Sequence, residues 1–313
     1  MKTKLTSNRH TKNRQTMKDN YSTPRLLLNK LTVSDTELIL ELVNSPEWIK
    51  FIGNRNIKTT EEAIPYIQKI IDNPAINYWV VKIQDQQIPI GIVTFIKRDY
   101  LDHHDIGFAF LAKYTKQGYA YEATAAVLND VIKDAAHTHI LATTVKENTN
   151  SIQLLEKLGF QFNNEINHED EMLLVYSVTT DKLFINHLTK IFFSIFTNSK
   201  QQQPDWNIIH SICLPETIII KKSDATEIVY SLDTFIEPRK KILSDGTLTE
   251  FEEKETNEET KIVGNIAQRW SKYQKTGYLN GNYFKEYGNK LFQFIKTQNG
   301  WKINSLIWED DKN

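Results

Sequence analysis

The sequence predicts an α+β protein of two domains, and three observations carry that expectation. The chain has 313 residues, about twice the length of a typical domain. Its first half runs strand, helices, antiparallel strands, helix, strand, helix, strand, an order that builds a mixed sheet flanked by helices. Near residue 180 the texture changes to one amphipathic helix followed mostly by strands.

The elements follow in order. Residues 1–20, MKTKLTSNRHTKNRQTMKDN, are basic and polar, which predicts a disordered tail. They lack the apolar middle of a signal peptide, and Met17 is a candidate start. Thr23–Leu31 reads as a strand. Ser34, with Glu37 three residues on, predicts a capping box for a helix carrying Leu38, Leu42 and Val43. Thr59–Asp72 is a second capped helix, with Ile64, Ile67, Ile70 and Ile71 as its apolar side. Asn77–Ile83, Ile88–Arg98 and His104–Ala112 are apolar strand candidates. Tyr121–Ala136 is rich in helix formers, THILATTVK reads as a strand, and TNSIQLLEKLG as a helix capped by Asn150 and stopped by Gly159.

Beyond the boundary, DKLFINHLTKIFFSIFTN is amphipathic, with Phe184, Leu188, Ile191, Phe192 and Ile195 as its stripe. WNIIHSICL, TIIIKK, EIVYSLDTFI, TKIVGNIAQRWSKYQKTG, KLFQFIKT and WKINSLIWED read as strands, the last two joined by the hairpin signal QNG. Glu250–Glu259 is an acidic run, read as a solvated loop or a strand edge.

Charge excludes some classes. With 38 Lys and Arg against 39 Asp and Glu, the chain has no global attraction for nucleic acid or anionic membrane. The N-terminal tail is the basic concentration, and it lacks interleaved aromatic residues. No apolar run is long enough to span a bilayer. The eight histidines do not gather with cysteine or carboxylate at ligand spacing, so no metal site is expected. One cysteine, Cys213, precludes an internal disulfide and suits a reducing cytoplasm; its strand-like setting predicts an inert core thiol.

The stretch KYTKQGYAYEA holds the chemistry. Gly118 and Ala120 sit where a strand ends and a helix opens. The first N–H groups of a helix have no partner inside it, and with the helix dipole they attract an anion such as phosphate. Small residues let that anion approach the backbone. One strand downstream, ENTNSIQLLEKLGF presents Asn148, Ser151 and then Gly159-Phe160.

Together these motifs resemble the GNAT superfamily of acyl-CoA N-acyltransferases, over roughly residues 21–178. The family's coenzyme A loop reads (Arg/Gln)-x-x-Gly-x-(Gly/Ala), and its later helix Asn-x-x-(Ala/Ser) followed by Gly-Phe. IGFAFLAKYTKQGYAYEA and FIGNRNIKTTEEA are closest to its RimJ/RimL-type branch. The resemblance implies acetyl-CoA as co-substrate, lying between two splayed strands, with Phe108, Ala109 and Phe110 on one of them. It implies that the turn Lys116, Gln117, Gly118, Tyr119, Ala120 and Tyr121 holds the pyrophosphate through backbone N–H groups. Asn148 would bond the pantetheine side, and Ser151 would face the same cleft. The acceptor would be an amine, on a protein N-terminus or a small molecule, attacking the thioester directly.

Two positions depart from the pattern. The family's Arg/Gln position falls on Thr115, with Lys113 or Lys116 as substitutes, and its thiolate-protonating tyrosine position on Leu155. Ser151 is therefore the candidate acid. Asp105, at the start of the cleft strand, is the candidate base, with Glu122 as a second carboxylate nearby. Arg55, Trp48 and Phe51 are candidates for the acceptor side, each with an ordinary surface or core reading beside it. A non-catalytic acyl-CoA-binding or sensing protein is the alternative that Thr115 and Leu155 favour.

The C-terminal half, 181–313, resembles the SnoaL-like, ketosteroid-isomerase-like cone fold, on FFSIFTN and NGWKINSLIWED. That resemblance implies a curved antiparallel sheet enclosing a pocket, where Arg269 and Tyr273 would meet Asp233 and His210. Such domains serve as enzymes, binding modules or dimerisation units, so a homodimer through this half is also an expectation.

Overall fold

The computed structural model describes residues 17–199, 204–223 and 226–311, which form two compact units divided between Thr180 and Asp181. The fold begins earlier than the tail expectation allows. Lys18 O accepts from the Trp79 indole at 3.0 Å, and β1 (Asn20–Ser22) pairs antiparallel with β2 (Leu26–Lys30). Tyr21 explains the difference: its ring is buried edge-on to Trp79, and its hydroxyl donates to Asp130. The tail expectation for residues 1–16 lies outside the described residues.

The first unit is an eight-stranded mixed sheet of order β1-β2-β3-β4-β5-β6-β8-β7. Its further strands are β3 (Ile76–Ile83), β4 (Pro89–Ile96), β5 (Asp105–Phe110), β6 (His139–Thr144), β7 (Gln161–His168) and β8 (Glu171–Thr179). The helices are α1 (Thr36–Val43), α2 (Pro46–Phe51), α3 (Thr60–Ile71), α4 (Tyr119–Val131) and α5 (Thr149–Lys157). Strand alternation buries Val80 and Ile92 beneath Leu38, Leu42, Ile67 and Ile70 of α1 and α3. Ile64 and Ile71 turn outward, and Ala63 completes the buried stripe of α3 instead.

Two caps differ from expectation. The capping box before α1 is Thr32 with Asp35, on a short 3-10 turn, because Asp35 reaches back to the Thr32 N–H at 2.9 Å. Helix α5 is capped by Asn148 rather than Asn150: its side-chain oxygen accepts from the Ser151 N–H at 3.2 Å.

Helix α6 (Thr180–Ser194) starts at the last residue of the first unit and supplies the opening element of the second. The second unit continues through α7 (Ile208–Ile212), β9 (Cys213–Lys222), β10 (Glu227–Tyr230), α8 (Leu232–Ser244), β11 (Leu248–Val263), β12 (Ile266–Leu279), β13 (Asn282–Thr297) and β14 (Gly300–Asp310). The sheet order is β10-β9-β14-β13-β12-β11, and β14 pairs parallel with β9, so this sheet too is mixed rather than antiparallel throughout. Register shifts in β11–β12, β13–β14 and β14–β9 mark bulges, which bend strands. The stretch expected as strand at 206–214 starts as helix α7, and that at 227–236 breaks at Ser231, which caps α8 by accepting from the Thr234 N–H. The acidic run lies in β11, at the sheet edge, where charged side chains discourage pairing with another chain. The core gathers Leu188, Phe192, Phe235, Phe292, Trp301 and Leu306.

Candidate active site

The sheet of the first unit opens between β5 and β6. Both strands are six residues long and run parallel, yet one pair is in register, Asp105 with Leu141. Beyond it β6 pairs fully with β8, and β5 with β4. Asp105 pins the apex: its Oδ2 accepts from Arg98 Nε at 2.5 Å and its Oδ1 from the Thr143 N–H at 3.2 Å. It is 2% exposed, and burial pushes its carboxyl above the usual range against the pull of Arg98.

The open edge of β5 follows from strand alternation. The Leu141 N–H donates to His104 O, and the Leu111 N–H to Ile90 O. Even-numbered residues of β5 therefore turn their backbone groups toward the gap, and odd-numbered ones toward β4. Phe108 and Phe110 present N–H and C=O groups to the cleft, whereas Ala109 spends its own on β4.

Two clefts flank this edge. The first, of ≈ 440 Å³, includes Asp105, Arg55, Arg98, Glu169, Glu171 and Leu155 in its walls. The second, of ≈ 430 Å³, runs to the start of α4 and is lined by Phe108, Ala109, Phe110, Lys116, Gly118, Tyr119, Ala120 and Tyr121. Asn148, Ser151, Trp48 and Phe51 border both, so the two join across them. The Asn148 cap that starts α5 thus also fixes its carboxamide at the shared wall. Trp48 serves both readings offered for it, being part of the apolar core and of the cleft wall.

The entrance of α4 leaves backbone donors open. Lys116 at φ 59° and Gly118 at φ 81° bend the chain into the helix, and Gly118 takes the cap position without a capping side chain. The first helical bond runs from the Glu122 N–H to Gly118 O at 3.1 Å, so the N–H groups of Tyr119 and Ala120 have no partner inside the helix. A Cβ on Gly118 would meet Arg25 Nη2 at 3.3 Å and otherwise open space. Lys116 and Lys157 both line this cleft. A diphosphate fits that donor set: helix-end N–H groups, a bare backbone and two ammonium groups.

Several placements differ from sequence reasoning. Gln117 does not line the cleft; its carbonyl accepts from Arg25 and its side chain bonds Lys113 O. Thr115 donates to Ala112 O, and Lys113 pairs with Glu41, so of the two lysines offered in place of the family's Arg/Gln, Lys116 is the one that lines this cleft, together with Lys157. Glu122 is structural: it accepts from Thr23 and holds Arg25 at 2.6 Å. Arg25 in turn braces the turn from behind and stacks on Tyr119. Sequence reasoning missed Arg25 and Lys157, whose partners Glu122 and Tyr121 lie on a distant element, and Arg98, whose partner Asp105 is only seven residues on but across a turn that carries no pairing signal.

In the second unit, Tyr273 lines a cavity, but the companions expected for it do not. Arg269, 3% exposed, is enclosed by Glu255, Glu258 and Asn186. His210 and Asp233 face each other at 4.0 Å on the surface, with side chains 52% and 84% exposed. Cys213 is buried, which pushes its thiol up to about 12. Among the described residues no cluster could hold a metal ion, and no helix is long and apolar enough to cross a membrane.

Residues 25–161 match the family described as the Acetyltransferase (GNAT) domain. The chain is 29% identical over 142 residues to the uncharacterized N-acetyltransferase YnaD of Bacillus subtilis (strain 168), an alignment covering 45% of this chain and 81% of that protein. Among solved structures, a GNAT-family acetyltransferase from Bacillus anthracis is 26% identical with a TM-score of 0.46, covering 52% of this chain and 99% of that one. A spermidine N-acetyltransferase from Vibrio cholerae, solved with CoA and spermine, is 19% identical with a TM-score of 0.45, covering 51% and 99%.

Proposed function

We propose that the GNAT acetyltransferase domain of the N-terminal half moves an acetyl group from acetyl-CoA to an amine by direct attack in a ternary complex. The observation that carries this reading is the gap between β5 and β6, which leads without interruption to the bare entrance of α4. Acetyl-CoA supplies a thioester that a free amine attacks, so no enzyme nucleophile is required.

The chain's own residues divide the work. Lys116, Lys157 and the helix-end N–H groups hold the diphosphate. The open backbone of Phe108 and Phe110 pairs with the amide-bearing arm, and Asn148 adds a carboxamide contact. A thiol has a pKa of about 8.5, so the thiolate leaves readily; the proton that the attacking amine gives up passes to the departing sulfur through the Ser151 hydroxyl at the junction of the clefts, which accepts one proton as it donates another. Asp105 acts as a positioning residue that fixes the strand apex; with both oxygens engaged it is poorly placed to take the amine proton. The acceptor enters by the cleft that Arg55, Glu169 and Glu171 border. A RimJ/RimL-type acceptor, a protein N-terminus, and a small amine are both compatible with this opening.

The C-terminal unit fits a cone-fold domain of the SnoaL-like kind, supported by its helix-first order and bent sheet around one apolar core. We place the protein in the cytoplasm, and a homodimer through this unit remains part of the proposal. Incubating the full chain with acetyl-CoA and a panel of N-terminal peptides and small amines tests the main reading. Thiol release that requires the amine is the expected result. Intact thioester across the panel, with coenzyme A still bound, would favour a sensing protein, the reading to which buried Leu155 at the family's tyrosine position points.

A further inference from the structure

The second unit contains a cavity of ≈ 760 Å³, the size of a small-molecule site, entirely within its own elements. One wall is apolar and aromatic, drawn from α6, α8 and β14, with Phe192, Phe235, Leu306 and Trp308. The other carries charge at a density that a core does not tolerate without a reason.

Most of that charge is internally matched. Lys290, 5% exposed, meets Glu253 at 2.5 Å and lies over the Tyr273 ring. Lys275 bonds Asp310 at 2.6 Å and Glu286 at 3.0 Å, and Lys221 approaches Asp310 at 3.4 Å. Tyr273 donates to Asp310 at 2.5 Å. Gly288 makes that last bond possible: it sits opposite both residues, and a Cβ there would lie 2.5 Å from the Tyr273 oxygen. Three cations and three carboxylates of the lining thus balance.

Arg239 is the fourth cation of the lining. Its guanidinium lies 3.7 Å from the Phe235 ring centroid, with Trp308 at 5.5 Å and Tyr230 at 5.7 Å. Nη1 donates to Phe235 O, in its own helix, at 2.8 Å. Among the described residues no carboxylate forms an ion pair with it. Aromatic rings stabilise a cation by about 0.5–2 kcal/mol, yet they accept none of its remaining N–H groups.

We propose that this cavity binds a small organic monoanion, a carboxylate with an apolar body, whose head pairs with Arg239 and whose body lies on the aromatic wall. One excess positive charge suits a single carboxylate, which a guanidinium grips with two parallel bonds. A polyphosphate would leave further negative charge beside Asp310, Glu253 and Glu286. The site is separate from the acetyl-transfer cleft and does not depend on that assignment.

Calorimetric titration of the full chain with 4-phenylbutyrate, its neutral amide 4-phenylbutyramide and the cation 4-phenylbutylamine tests the proposal. The carboxylate should bind at least about tenfold tighter than the amide, and the amine weakest. Arg239→Met should bring the carboxylate down to the level of the amide while leaving amide affinity in place. Saturating coenzyme A should displace none of the probes. A carboxylate that binds no tighter than the amide, an amine that binds tightest, or no binding up to about 10 mM overturns the proposal. Should Arg239→Met fail to fold, the order of the three probes on the native chain still decides it.

Discussion

Replacing Gly118 tests the proposed diphosphate site at the residue that leaves its backbone bare. Gly118 has φ 81°, where an L side chain costs on the order of 1 kcal/mol in strain. In a unit of this size that lowers the unfolding midpoint by about 2–4 °C. The strain is present with and without ligand, so Gly118→Ala should lose stability but keep its affinity for coenzyme A within about tenfold. The added Cβ meets Arg25 Nη2 at 3.3 Å, so the guanidinium held by Glu122 and Gln117 O has to give by a few tenths of an ångström, which adds to the strain but leaves the cleft side of the turn clear. Gly118→Glu suffers the same strain and adds a carboxylate beside the phosphates. At about 4 Å and an effective dielectric constant of about 20, the repulsion is about 4 kcal/mol. That corresponds to about 10³-fold weaker binding at 1.4 kcal/mol per decade. Calorimetry with coenzyme A and acetyl-CoA on the three proteins reads the difference. A Glu variant that binds within tenfold of the wild type would refute the cradle.

Three other outcomes follow from the geometry. Asp105→Asn strands Arg98 without its partner and should cost about 3 kcal/mol, a midpoint drop of about 6–12 °C, while the pH profile of kcat/KM keeps both limbs; loss of the acid limb with unchanged stability would make Asp105 the base instead. Burial opposes the ionisation of Asp310, but hydrogen bonds from Lys275 and Tyr273 outweigh it and hold its carboxyl below the usual range. The stability it contributes is complete above the unfolded value of about 3.9 and is lost as pH falls through the lower folded value, so urea midpoints should drop in acid, and less steeply in Asp310→Asn. Cys213, buried and with its thiol pushed up to about 12, should resist a thiol reagent in the native chain and react once the chain is unfolded in urea; rapid native labelling would contradict the packing.

The legible parts of the chain were those with local causes. Helix α3 announces itself by the Thr59 cap and the spacing of Ile67 and Ile70, and the helix entrance at Gly118 by a glycine that the turn requires. The match over residues 25–161 falls on the half where those local signals were strongest. Helix α8 was missed because EIVYSLDTFI is rich in β-branched and aromatic residues, and its N-cap, Ser231, is a single small side chain. The cap of α5 was misplaced by two residues because Asn148 and Asn150 have equal capping chemistry and tertiary context chose between them. Arg25 with Gln117, and Arg239 with Trp308, are juxtapositions across the fold that no spacing along the chain encodes. The expected pocket partners of Tyr273 failed for the same reason: strand alternation put Arg269 on the inner face with it, but Glu255 and Glu258 were already there to enclose the guanidinium.

Direct transfer is tested by a chase with radiolabelled acetyl-CoA, following the label between protein and amine. Direct attack by the amine predicts label on the amine in step with thiol release, none on the protein at any time, and none released when the amine is withheld. Label that accumulates on the protein, or thioester that stays intact across every amine offered, would contradict it.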